Sequence, residues 1–354
     1  MPSERNRAFD LARGLAVFFM VLIHVMETYG RRDVQAGAMG KVLLFLGQAP
    51  AAPVFMCLMG VGVTLARKPS VTYFLKRGAE LFLLGYVLNF LRAALPLWFA
   101  LRLGHVTPEE TAPYTPLSEL LVLDIFQFAG IALSVCGVIY CRRANPYVVL
   151  AMGLLVAFLS PALWGLKAGV PVLDWALSLL WGDGLGICFP VFPWIVYPLC
   201  GVALGMLAKN RGSISDLVHR YLWWGVGLLI IGLVLVAAFP NLGSQRYARS
   251  GPATLLWMSG FVLVWLRACA WFVQVVRPQA LLNPLYFWSE RVARFYFIHW
   301  VLLGWGISLF GAEANDEPTL VILMLGALLL SDLLTRASLA WSRGPSRRAE
   351  RATA

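Results

Sequence analysis

The sequence predicts an all-α fold, a polytopic bundle of about ten transmembrane helices. Three observations lead there. First, 60% of the 354 residues are hydrophobic and only 13% are charged, with a mean hydropathy of +0.73. That leaves too few charges to cover the surface of a water-soluble chain of this length. Second, apolar runs of about 18 residues or more follow one another with short polar gaps between them, the pattern of helices cut to the thickness of a bilayer. Third, arginine and lysine are distributed unevenly among those gaps.

Ten spans are expected, near 8–29, 42–66, 77–101, 117–140, 147–164, 187–207, 222–239, 252–275, 288–310 and 318–341. At ~1.5 Å of rise per residue each reaches across a hydrocarbon core of about 30 Å, the fifth and seventh only just. The second span stops at Ala66-Arg67-Lys68-Pro69, and Asn145-Pro146 separates the fourth from the fifth, because the residue before a proline is driven out of helical geometry. "VPVLDWALSLLW" (170–181) is too short to cross and is expected to be an interfacial or re-entrant helix. The sixth span opens on "FPVFPWIVYP" (189–198), whose prolines leave carbonyls unpaired, a state tolerated where backbone lines a cavity or packs on protein. Neither a cleavable signal peptide, an internal repeat nor a domain linker is evident. Residues 1–341 are expected to form a single membrane domain and 342–354 a basic tail.

The N-terminus, the gaps near 67–77, 141–146, 208–221 and 276–294, and the tail together hold 20 of the arginines and lysines. The alternate gaps hold 7, and Arg92 and Arg267 lie within spans. Positive charge accumulates on the cytoplasmic side, so both termini are expected there, in a multi-pass protein of a bacterial inner membrane. The net charge of +11 is then a matter of topology and anionic lipid, and no nucleic-acid partner is implied. The six cysteines lie in or beside apolar runs without metal-site spacing. They read as packing thiols, and no metal is expected.

Charges inside the apolar runs are the functional clue, since one at mid-membrane costs about 2.5–3.5 kcal/mol on the lenient insertion scale. On the first span Asp10, Arg13, His24 and Glu27 fall within an arc of about 100° at about 100° per residue, a polar line from one end of the helix to the other. The third span adds Asn89 and Arg92, the fourth Asp124 and Gln127, and the ninth Glu290, Arg291, Arg294 and His299. Taken singly, several have structural readings. Asp10 and Arg13 suit an i,i+3 pair, Arg92 and Arg267 can snorkel, and Asp124, Gln127 and His299 suit interhelical hydrogen bonds. As a set they point to a polar interior path.

The stretch "RAFDLARGLAVFFMVLIHV" resembles the opening of membrane-embedded acyltransferases, with an Asp-x-x-Arg-Gly start and a later histidine. "APVFMCLMGVGVTLARK", "VLDIFQFAG" and "FPVFPWIVYPLCGVALG" resemble, in the same order, segments of bacterial relatives of heparan-α-glucosaminide N-acetyltransferase. "SGPATLLWMSGFVLVW" and "FYFIHWVLL" are similar to its late spans more loosely. The sugar O-acyltransferases of similar span count share the first motif only. The resemblance implies that an acyl group, usually acetyl, passes from cytoplasmic acyl-CoA to a sugar amine or hydroxyl on the far side. The acceptor would be a glycan, a lipid-linked sugar or a free amino sugar.

Carried onto this sequence, the resemblance matches Asp10, Arg13, His24, Asp124, Gln127 and His299 to the family's motifs; His24 is expected to be general base or acyl carrier, with Asp124 and, from the polar line of the first span, Glu27 beside it as catalytic residues. The first outer loop, "RRDVQAGAMGK", has no histidine, which moves that role to His24. Asn89, Arg92, Gln127 and His299 would contact substrate, with Arg92 or Asn89 at the oxyanion. Asp10, Arg13, Arg291 and Arg294 would receive CoA, whose phosphates need cations. An imidazole suits the base because its ordinary pKa of about 6.5 lies near working pH. Membrane lipids are the surrounding partners, and a homo-oligomer remains open. A proton-coupled transporter or flippase remains the alternative, because intramembrane Asp, Arg and His also build proton paths, and a non-catalytic scaffold the third.

Overall fold

The computed structural model describes residues 6–342 except 185, 212–218, 245 and 277–278. The expected basic tail, 342–354, therefore lies outside the described residues from 343 onward, and Ser342 ends the last helix. The principal helices begin with α1 (Arg7–Tyr29), α2 (Ala38–Gln48), α3 (Ala52–Thr64), α4 (Val71–Asn89), α5 (Leu95–Arg102), α6 (Ile125–Cys141) and α7 (Pro146–Leu163). They continue with α8 (Pro171–Trp181), α9 (Val196–Arg211), α10 (Leu222–Ala238), α11 (Pro252–Val275), α12 (Asn283–Glu290), α13 (Val292–Phe310) and α14 (Glu317–Ser342). The chain is an all-α, multi-pass membrane bundle. Among the described residues, eight helical stretches are long and apolar enough to cross a membrane. The 17-residue α6 and α10 stand where the fourth and seventh spans were expected, and α8 is a separate 11-residue helix. Large apolar side chains such as Leu309, Ile322, Trp223 and Trp341 cover the outside, the reverse of a protein made for water and the surface lipid requires.

Of the spans that depart from straight helices, three do so for local reasons that the sequence supplies. The second is broken between α2 and α3 at residues 49–51, just ahead of Pro53. The fourth does not begin near residue 117. Pro116–Leu120 is a separate short helix, and α6 starts only at Ile125, because Asp124 and Gln127 form a capping box that sets the helix N-terminus there. The third is interrupted by a π-turn, Phe90–Ala94, between α4 and α5. There the Leu95 N–H bonds to the Phe90 carbonyl, and Pro96 has no N–H to offer. The Leu91 carbonyl, left without a helical donor, takes the indole N–H of Trp305 at 3.0 Å. A π-turn held by a tertiary hydrogen bond marks a place where the chain is shaped for something other than spanning. Arg92 sits within it.

α1 is the central helix, packing against α2, α3, α11, α12, α13 and α14. Asn6 caps its start, the Asn6 Oδ1 accepting from the backbone N–H groups of Ala8 and Phe9 at 3.1 and 3.4 Å. A large apolar core, including Met56, Leu88, Phe128, Trp194 and Tyr197, joins α3, α4, α6 and α9. α3 and α9 approach through glycines on both sides: a Cβ at Gly60 would lie 2.1 Å from the Pro198 carbonyl oxygen, and one at Gly201 would lie 1.9 Å from that of Cys57. Small residues let membrane helices bring their backbones together in this way. Backbone cannot swing aside as a side chain does, so Gly201→Ala should destabilise the bundle by about 1–3 kcal/mol. A lowered thermal midpoint of the detergent-solubilised protein checks this, and an unchanged midpoint refutes the packing.

Candidate active site

One face of α1 lines a cavity of about 800 Å³. The α1 residues facing it are Arg13, Ala16, Val17, Met20, Ile23, His24 and Glu27, spaced as a single stripe along one side of a helix. From Arg13 to Glu27 that stripe runs about 21 Å at ~1.5 Å per residue. Ser289 and Glu290 join Arg13 at one end, and Gln48, Arg246 and Tyr247 join Glu27 at the other. His24, Arg92, Asp124, Tyr296 and Trp300 line the stretch towards the Glu27 end.

His24 is held by a partner 275 positions away. Its Nδ1 lies 3.0 Å from Nε2 of His299, which is fully buried in α13. The two rings are 7° from parallel with centroids 5.3 Å apart. With the nitrogens at 3.0 Å, this is two coplanar imidazoles joined edge to edge rather than a face stack. Nδ1 of His299 lies 3.3 Å from the Phe295 carbonyl oxygen. A carbonyl only accepts, so this nitrogen carries the hydrogen, and in a neutral ring Nε2 of His299 is then the acceptor. His24 accordingly donates from Nδ1, which leaves its own Nε2 with the free lone pair. The sequence puts a histidine in a cavity wall, and the fold selects the tautomer that leaves its Nε2 without a hydrogen.

Beside it lies a buried ion pair. Nη1 of Arg92 is 2.8 Å from Oδ2 of Asp124, with side-chain exposures of 10% and 9%. The same carboxylate accepts from the Tyr296 hydroxyl at 3.2 Å and, through Oδ1, from the Ile125 N–H at 2.7 Å. The guanidinium lies over the Trp300 ring, 4.4 Å from its centroid, and the His24 ring packs 4.3 Å from the same indole. Cation, carboxylate, indole and imidazole thus form one rigid group. Glu27 also faces the cavity, and its carboxylate makes no hydrogen bond or ion pair with the described residues.

The other expected site residues fall in different places. Asn89 does not line the cavity: its Nδ2 donates to the carbonyls of Leu120 and Val122 at 3.1 and 2.7 Å, so it pins a loop. Gln127 is likewise turned to backbone, accepting from the Asp124 N–H at 3.2 Å and donating to the Val122 carbonyl at 3.2 Å. Arg13 pairs with Asp10 at 3.6 Å, and both touch Ser289, which donates to Asp10 at 3.2 Å. Asp10 and Arg291 face a neighbouring cleft of about 1100 Å³ together with Arg7, Gln274 and Asn283. Glu290 lines both spaces and is ion-paired with Arg291. Arg294 lies in neither and donates to the Ser338 hydroxyl at 3.3 Å.

Sequence reasoning missed Tyr296, Trp300, Cys188, Arg246 and Tyr247. Tyr296 stands three residues before His299 and four before Trp300, and that i,i+3 and i,i+4 spacing is a signal a reader could have used. Cys188, Arg246 and Tyr247 lie outside the long helices and offer no such periodicity.

The sequence profile of the heparan-alpha-glucosaminide N-acetyltransferase catalytic domain matches residues 5–236, well over half of the chain. The chain belongs to this family. Comparison with curated proteins finds no match. Within the heparan-alpha-glucosaminide N-acetyltransferase family match lie His24, Glu27, Arg92 and Asp124. His299, Tyr296 and Trp300 come from α13, beyond its end, and complete the group around His24.

Proposed function

We propose that this chain moves an acyl group, acetyl in the first instance, from coenzyme A in the cytoplasm to a sugar amine or hydroxyl on the far side of a bacterial inner membrane. With both termini inside, as the arginine and lysine bias favours, the Arg13 end of the cavity is cytoplasmic and the Glu27 end faces outward. The single observation behind the reading is the continuity of that cavity. One space leads from Arg13 past His24 to Glu27, so a thin acyl-pantetheine arm entering from inside reaches the base. Arg13, with Arg7 and Arg291 around the adjoining cleft, supplies cations for the CoA phosphates.

The chemistry follows from the tautomer. Nε2 of His24 takes the proton from the acceptor nitrogen or oxygen as that atom attacks the acyl carbonyl. Arg92 faces the same space and stabilises the oxyanion. When the carbon–sulfur bond breaks, the imidazolium returns the proton to the departing thiolate. His299 keeps Nδ1 of His24 occupied throughout. A transient acyl-imidazole on Nε2 is the covalent variant of the same chemistry.

Sidedness tests the proposal. Proteoliposomes are loaded with labelled acetyl-CoA and given glucosamine outside. The expected result is labelled N-acetylglucosamine appearing outside, dependent on internal donor. Absence of labelled product would overturn acyl transfer to this acceptor. Acceptor flux without donor would instead establish the transporter. Acetyl-CoA should also raise the thermal midpoint, by the linkage that stabilises any folded state able to bind ligand.

A further inference from the structure

A slot of about 210 Å³ lies between α7, α9, α10 and α11, on the side of α3 turned away from His24. Met56 and Met59 of α3 face the His24 cavity, and Cys57 faces the slot. The slot exists because α10 is held tightly on one side only. Glycines draw it close along α11: a Cβ at Gly232 would lie 2.4 Å from the backbone nitrogen of Trp257, and one at Gly260 would lie 2.4 Å from that of Leu229. Among the described residues no such approach joins α10 to α7 or α9.

The interior of the slot is apolar and its edge is amphipathic. Leu204, Leu207, Leu228, Val262 and Leu263 line it, together with Tyr147, Tyr221 and Trp224. Tyr147 is 55% exposed and Trp224 70%, although both line the slot, so it opens sideways between α7 and α10 onto surface that lipid covers. All three aromatic residues lie within a turn of where α7 and α10 begin. That is the bundle end that carries the start of α1, since Tyr221, Leu204 and Leu207 pack in one cluster with Ala8 and Phe9. Amphipathic rings at this level mark a membrane–water interface. Arginines stand just beyond them. Arg220 precedes Tyr221, and Arg267 lies one helical turn past Leu263 on α11. Nε of Arg267 donates to Nδ1 of His219 at 3.2 Å. Neither arginine has a carboxylate partner among the described residues.

We propose that this slot binds an anionic glycerophospholipid from the leaflet at the Arg13 end. One acyl chain enters between Tyr147 and Trp224 and lies along Leu204, Leu207 and Leu228, and the phosphate and headgroup rest on Arg220 and Arg267. A slot that opens into a bilayer is filled by what the bilayer supplies, because an empty one forfeits the dispersion contacts of its lining. Its volume falls below the ~300–1,000 Å³ of small-molecule sites, which suits part of a single chain. The arginines select the head, since basic pockets between membrane helices hold anionic headgroups. The bound chain joins α10 to α7 and α9, so the lipid completes a contact that the protein leaves out. No step of acyl transfer enters into this, and the site stands or falls independently of that reading.

Native mass spectrometry tests it. The full-length protein is delipidated in detergent and mixed with dioleoylphosphatidylglycerol or dioleoylphosphatidylcholine. One strongly retained phosphatidylglycerol is expected, with phosphatidylcholine held about fivefold more weakly. Arg220→Gln combined with Arg267→Gln should bring phosphatidylglycerol down to the phosphatidylcholine level. Leu228→Trp, which fills the slot from α10 and keeps both arginines, should lower retention of the two lipids alike. Phosphatidylglycerol should raise the thermal midpoint of the wild type and not that of either variant, and a midpoint near wild type without lipid shows that the variants fold. Equal retention of the two lipids by the wild type, or a preference that survives loss of both arginines, overturns the headgroup contact. Unchanged retention in Leu228→Trp overturns the slot.

Discussion

His24→Gln is expected to lower acetyl transfer by about 10²–10⁴-fold, the usual contribution of a positioned general base, while leaving acetyl-CoA binding nearly intact. Glutamine is close to histidine in size, so the cavity keeps its shape. What disappears is the basic nitrogen. His299→Leu should act on the same step from behind. It leaves His24 chemically unchanged but removes the ring whose Nε2 holds the His24 hydrogen on Nδ1 at 3.0 Å. Nε2 is then free to carry the hydrogen, and the fraction of His24 in the productive tautomer falls. The two variants should share a floor, with the double substitution little worse than His24→Gln alone, because groups acting as a unit are not additive. Single-turnover transfer with labelled acetyl-CoA measures all three. His24→Gln at wild-type rate would rule out both the base and the acyl-imidazole.

The polar line on α1 was legible in the sequence because it needs only helical arithmetic on an uninterrupted helix. Three of its four members, Arg13, His24 and Glu27, face one cavity, while Asp10 turns to the neighbouring cleft. Asp124 and Gln127 stand out in the sequence as a pair at i and i+3 that suits interior helix positions. Their spacing before an apolar run is also a capping signature, and the helix starts after Asp124 for that reason. That reading of the cap was available in the sequence. The partnerships were not. Nothing in the chain says that His24 meets His299 or that Arg92 meets Asp124, since each pair is brought together by the packing of separate helices. The π-turn at Phe90–Ala94 was hidden for a related reason. Pro96 announces a disturbed helix, but the Trp305 hydrogen bond that supports it comes from α13.

The Arg92–Asp124 pair gives the second large effect, and it separates architecture from chemistry. Arg92→Met strands a carboxylate that is 9% exposed. Removing one partner of a buried pair costs about 3–5 kcal/mol, because the survivor is left uncompensated. Asp124 retains the Ile125 N–H and the Tyr296 hydroxyl, which places the loss towards the lower end of that range. Asp124→Asn strands the guanidinium instead, partly relieved by the Trp300 face 4.4 Å away, while the amide oxygen can still cap α6. Combined, the substitutions leave no unpaired charge. The double variant should therefore be more stable than the two single losses sum to, by about 0.5–3 kcal/mol of coupling. Unfolding midpoints of the purified variants in one detergent give the cycle. Activity should not follow stability back. Arg92 faces the His24 cavity, and methionine offers no donor to a developing oxyanion, so the refolded double variant should remain impaired in transfer while still binding acetyl-CoA. A strictly additive cycle would mean that the two side chains are not coupled in the fold, and recovery of activity with stability would confine Arg92 to a structural role.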